Sequence, residues 1–123
     1  MGHDLQHLAP LVALLVPPWL AEGDDALAAP EQMRLEVLSA VRRRGLADAD
    51  VLRTADILES FRIGWYPVDA PLARGAAQIA TQFSLTVYDA AFAALAVRLD
   101  AELVTADRKL ATSGACRIRL LGA

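Results

Sequence analysis

Glu36, Asp89 and Asp107 stand at positions where a carboxylate can do chemistry. Glu36 lies in "RLEVLSAVRRR", one turn into a predicted helix, with Met33 and Ala40 as neighbours three and four residues away. It therefore borders an apolar arc, where a carboxylate is costly unless something positive meets it. Asp89 opens an alanine-rich stretch, "SLTVYDAAFAALAVRLDAELVTADRKLA", and Asp107 follows a short predicted strand within it. Three carboxylates brought together at the ends of strands would repel one another unless they shared a hard divalent cation. Oxygen-only ligands suit Mg²⁺ or Mn²⁺. Such an ion generates a hydroxide-like nucleophile near neutral pH and stabilises the charge that develops on a phosphate under in-line attack. That chemistry needs no histidine or cysteine.

Each acid also has a plainer explanation. Thr86-Val87-Tyr88-Asp89 fits a capping box, and Asp107 fits a simple helix cap. Glu36 can bend outward to pair with Arg34 or another arginine. His3 and His7, four residues apart, offer a metal pair only if helical, and Gly2 argues against that. The run Arg42-Arg43-Arg44 reads either as a grip on RNA phosphates or, preferably, as a solvated helix end, where cations are favourable in any protein. Trp19, Trp65 and Tyr66 read as core or interface residues rather than base-stacking platforms.

The elements that must position the acids follow from periodicity. After Pro30, "EQMRLEVLSAVRRR" sets Met33, Val37, Ala40 and Val41 on one arc and stops at Gly45. A second helix runs from about Asp48 to Phe61, with Val51, Ala55, Leu58 and Phe61 on its apolar face. "IGWYPV" reads as a strand whose end is marked by Pro67. Asp69 caps "APLARGAAQIATQF", which turns over near Ser84, and Thr86 caps "VYDAAFAALAVRL", where alanines allow close packing. "AELVT" is a strand, Asp107 starts a brief helix, and "RIRLL" is the last strand. Strands alternating with helices predict an α/β fold, a three-layer α/β/α arrangement with a small parallel sheet flanked by helices. Ligands of such sheets bind beyond the carboxyl ends of the strands, which is where Asp107 falls.

Bulk properties bound the rest. A chain of 123 residues suits one domain spanning 1–123. Its hydrophobic fraction of 55% and mean hydropathy of +0.34 suggest that part of its apolar surface is covered by another chain. A net charge of −3 gives no global attraction to nucleic acid, so RNA binding would need local basic clusters. The lone Cys116 makes no internal disulfide and fits a reducing compartment, read as a small hydrophobe. The apolar run from Leu8 to Leu20 carries three prolines and falls short of the ~20 residues that span a bilayer. No membrane segment and a cytoplasmic location are expected.

"RLEVLSAVRRR", the stretch from Ser84 to Ala111 and the closing "RIRLL" resemble a PIN domain, and within that superfamily the VapC-type ribonuclease toxins of toxin–antitoxin pairs. The resemblance runs from about Ala28 to the C-terminus, leaving residues 1–27 as an atypical N-terminal segment. It implies a metal-dependent endoribonuclease in which Glu36, Asp89 and Asp107 hold Mg²⁺ or Mn²⁺ and Thr105 supports them. It also implies an RNA substrate, a homodimer, and a VapB-like antitoxin whose tail covers the active-site groove. Arg108 and Lys109, flanking Asp107, are candidates to hold the RNA backbone. PIN domains normally open with an apolar strand ending in Asp, whereas this chain opens "MGHDLQHLAPLVALLVPP". Asp4 lies at a feasible distance for a fourth ligand. Matching "LVALL" to the family's usual first helix instead puts His7 where the acid belongs, so an altered N-terminus is favoured over an intact site.

Overall fold

The structure, a computed structural model, describes residues 13–16 and 27–120. Among these, five strands form one sheet in the order β3-β2-β1-β4-β5, with β1 at Ala13–Val16, β2 at Leu27–Pro30, β3 at Ile63–Tyr66, β4 at Glu102–Thr105 and β5 at Ile118–Leu120. The helices are α1 (Gln32–Arg43), α2 (Asp48–Ser60), α3 (Ala70–Phe83), α4 (Val87–Leu99) and the short α5 (Arg108–Ala111). Strands and flanking helices give the expected α/β fold.

The two outer pairs are parallel, β2 with β3 and β4 with β5, as βαβ connections require. The central strand departs from the all-parallel expectation, because β1 runs antiparallel to both β2 and β4. The described part of "LVALL", from Ala13 on, therefore lies in a strand and not a helix. β2 is also new: "LAAP" has no β-branched residue and Pro30 lacks an N–H, so propensity alone does not mark it as a strand. Ala28 and Ala29 are nevertheless buried at 3% and 0% exposure, a setting that pairing with two neighbours creates and propensity does not reveal. The chain leaves β2 through Glu31, whose N–H donates to the Tyr66 carbonyl at 2.9 Å, and α1 begins at once.

This topology fixes the site's location. Since β2 and β4 both oppose β1, they are parallel to each other, and their carboxyl ends emerge on one edge of the sheet. α1 starts from the first and Asp107 follows the second. Between them, the end of β1 is Ala13, paired in register with Thr105.

Helix α4 is the core. Every residue from Ala90 to Ala96 is buried, so it is apolar on all sides and packed on all sides. Its alanines let α3 approach closely: a methyl placed on Gly75 would lie 3.4 Å from Ala94 Cβ. Thr86 caps its start by accepting from the Asp89 N–H at 3.1 Å, and Asp100 ends it in the left-handed region at φ 51°. Met33, Val37, Ala40 and Val41 of α1 are all buried, as the predicted arc requires. On α2, by contrast, Leu58 alone of its four predicted apolar positions is fully buried, because α2 lies on α1 at the margin of the core.

Arg34 ties α1 to its neighbours. Its guanidinium pairs with Glu59 of α2 at 2.9 Å and with Glu31 at 3.4 Å, and stacks over the Trp65 ring of β3 at 3.9 Å. The Glu59 hydrogen bond is the main cause of its raised pKa. Lysine cannot reproduce the planar fork or the stack. Arg34→Lys is expected to lower stability by about 1 kcal/mol, with the difference shrinking in high salt, as read by thermal unfolding at two ionic strengths.

Candidate metal centre

α1 presents Gln32, Glu36, Ser39, Ala40 and Arg43 along one side, at spacings that repeat each turn. Facing them is the first turn of α4, with Thr86, Tyr88 and Asp89. Between the two lies an open groove of about 680 Å³. Glu36 does not bend out to Arg34, which is engaged by Glu31 and Glu59. It stays against the groove wall, half-buried, with Oε2 enclosed and without a hydrogen-bond partner.

The electrostatics link the three acids as neighbours. Burial pushes the Glu36 carboxyl above the usual carboxylate range; the nearby Gln32 amide opposes this and the Asp89 charge adds to it. Asp89 is raised too, first by burial and then by the Asp107 charge, against the Thr86 hydroxyl and the Lys109 ammonium. Asp89 is thus the middle member, flanked by one acid on each side. Its place in the capped turn and its place in the acidic row coexist, since the Thr86 hydroxyl accepts its N–H at 3.1 Å.

Asp107 is exposed and caps α5: Oδ1 accepts from the N–H groups of Lys109 at 2.9 Å and Leu110 at 3.3 Å. Thr105 is buried at 2% exposure and its hydroxyl accepts the Asp107 N–H at 3.0 Å, which fixes the turn. Arg108 and Lys109 are exposed, and Lys109 lies near enough to influence Asp89. Asp4, His3, His7 and Trp19 lie outside the described residues.

Among the described residues, no three acidic, histidine or cysteine side chains form a ready-made cluster around one ion. Convergence of three carboxylates on one point is therefore not what the fold displays; it displays a row. Mg²⁺ commonly takes only one or two carboxylates and completes its shell with water and phosphate oxygens. Glu36 and Asp89 meet that demand, with oxygen donors, an unpartnered buried Oε2 and charges that the protein alone leaves uncompensated.

Gln32 and Tyr88 also line this groove, though their residue types carry no signal, and so does Arg43 of the basic run Arg42-Arg43-Arg44. The helical spacing from Gln32 through Glu36 to Arg43 held the signal. Arg43 belongs to the basic run at the helix end and donates to Ser39 at 3.1 Å. Trp65 and Tyr66 pack against the core, and burial pushes the Cys116 thiol up to about 11, which leaves it protonated and unreactive at neutral pH.

The PIN domain family model matches residues 14–114, from within β1 to just beyond α5. The chain belongs to the PIN-domain family. The match starts earlier than the resemblance read from Ala28 and excludes "RIRLL", which forms β5 but lies past the matched region. A search of curated proteins finds no match. PIN domains are generally nucleases that use Mg²⁺ or Mn²⁺. In this PIN domain the acids from α1 and α4 share a groove, while β1, "ALLV", has no carboxylate to add. Among the described residues no single helix is long and apolar enough to cross a membrane.

Proposed function

We propose that this PIN domain is a metal-dependent endoribonuclease of the VapC type that hydrolyses RNA phosphodiester bonds, with Glu36 and Asp89 as the principal metal ligands and Asp107 as their neighbour. One observation carries this reading: two half-buried carboxylates from distant helices line one groove with their charges disfavoured, and one of their oxygens is enclosed without a partner. Bound Mg²⁺ or Mn²⁺ supplies stabilisation of the charge on the attacked phosphate and a more acidic water. Thr86 fixes the backbone of Asp89, and Thr105 that of Asp107. Lys109 and Arg108 offer contacts to RNA phosphates beside Asp107. Arg43, seven residues beyond Glu36 and so roughly 10 Å along α1, offers another within the groove.

A VapB-like antitoxin, a homodimer and a cytoplasmic setting complete the proposal. Exposed apolar side chains support a covered surface, notably Leu35 at 72% and Tyr88 at 60%, both on the groove. A second reading, a PIN domain of impaired catalysis that binds antitoxin or RNA, is favoured by Ala13 standing beside Thr105, where no acid from β1 reaches the edge.

Cleavage of a labelled RNA in a Mn²⁺ titration separates the two. Activity that rises with Mn²⁺ and disappears with chelator supports the enzyme; no cleavage at any Mn²⁺ concentration leaves the binding module. Asp107→Asn sharpens the test, because Asn caps a helix as well as Asp and removes only the charge. Its expected result is unchanged thermal stability with cleavage slowed about tenfold, roughly 1.4 kcal/mol of barrier.

A further inference from the structure

Gln32 is the first residue of α1, four residues before Glu36 and on the same side of the helix. Its amide carries two N–H donors. Nε2 donates to the carbonyl of Tyr88 at 2.9 Å, in the first turn of α4 and one peptide away from Asp89. Gln32 lines the same groove as Glu36, whose Oε2 is enclosed without a hydrogen-bond partner. A side chain one turn before Glu36 thus holds the turn of α4 that carries Asp89, although 56 residues separate Gln32 from Tyr88 in the chain.

We propose that Gln32 is a positioning residue of the metal centre: its amide ties the start of α1, one turn before Glu36, to the turn of α4 that carries Asp89, so that both carboxylates face one divalent cation in the groove. This rests on the nuclease reading above. Without the amide, the start of α1 would lose its tie to the first turn of α4, and with it the fixed spacing of Glu36 from Asp89. Side chains that orient metal ligands change metal affinity or activity about 10–100-fold when removed.

The test is calorimetric titration of Mn²⁺ into the full chain stripped of metal, for wild type, Gln32→Met and Glu36→Gln, with thermal unfolding of each without metal. Methionine keeps the length and removes both donors. The expected result is Mn²⁺ affinity about 10–100-fold weaker in Gln32→Met, with metal-free stability close to wild type. A Gln32→Met protein that unfolds more easily but binds Mn²⁺ like wild type, while Glu36→Gln binds poorly, overturns the positioning role and leaves the nuclease reading standing. Wild type without measurable Mn²⁺ binding overturns both. Should Gln32→Met not fold, Gln32→Asn takes its place: its amide is one methylene too short to reach the Tyr88 carbonyl, and wild-type affinity there is also a refutation.

Discussion

Asp89→Asn is expected to cut Mn²⁺-dependent RNA cleavage by at least about 10²-fold and, at the same time, to raise the melting temperature of the metal-free protein. Both effects come from the same electrostatics. The side chain is half-buried and next to Asp107, so its ionised form is disfavoured by desolvation and by a like charge. A cation offsets those costs, and losing a ligand to it forfeits a barrier reduction on the order of 3 kcal/mol. Without a cation the costs stand. The isosteric amide leaves the backbone N–H bond to Thr86 in place, removes the charge, and is expected to gain on the order of 1 kcal/mol, a few degrees in melting temperature.

The pH dependence follows with a definite sign. Glu36 and Asp89 hold their protons more tightly folded than unfolded. Their contribution is therefore most favourable below the ordinary carboxylate range of about 4, shrinks as pH rises through it, and is fully lost above their raised folded values. Asp69 and Glu59 act oppositely, because Leu72 N–H and Arg34 respectively hold their pKa values down and they lose stabilising contacts as pH falls. The difference between wild type and Asp89→Asn isolates the site: the stability gain should vanish in acid and be complete at neutral pH. Saturating Mn²⁺ at neutral pH should reverse the ranking, since only the wild type binds it well. Equal melting temperatures at neutral pH with and without Mn²⁺ would sink the metal centre.

Leu95→Ala is expected to have the largest effect on folding, a loss of about 3–4 kcal/mol. Leu95 is 0% exposed on α4 and belongs to the buried cluster that also draws residues from α1, α3, β2 and β4. Neighbouring alanines on its own helix have no spare atoms with which to fill the vacated space, so the cavity term should not relax away. A single domain of this size loses roughly 3–5 °C per kcal/mol, which puts the expected drop in melting temperature near 10–15 °C. Differential scanning calorimetry reads it directly. A drop below about 3 °C would mean that α4 is not the packed centre that the α/β sheet is built upon. Because α4 also carries Asp89, the variant should lose RNA cleavage at 37 °C while keeping some at lower temperature.

Local rules made much of this protein legible in its sequence. Asp69 and Thr86 were recognisable as caps because a side-chain oxygen and an unpaired N–H lie within one turn of each other. The buried arc of α1 followed from spacing alone, as did Gly45 as its stop, with φ at 76°. The identities of Glu36, Asp89 and Asp107 were equally visible, since each borders a junction between elements. What tertiary structure decided was every relation across the chain. The strand character of "LAAP" and "ALLV" comes from neighbours that no window includes, and the reversed direction of β1 puts Ala13, not an acid, beside Thr105. Long-range packing likewise turned Glu36 inward by engaging Arg34 with Glu59 and Trp65. It arranged the acids as a row around Asp89 and gave Gln32 a partner on α4. Backbone propensity and capping act over a few residues, whereas desolvation and charge proximity depend on which surfaces the folded chain presses together.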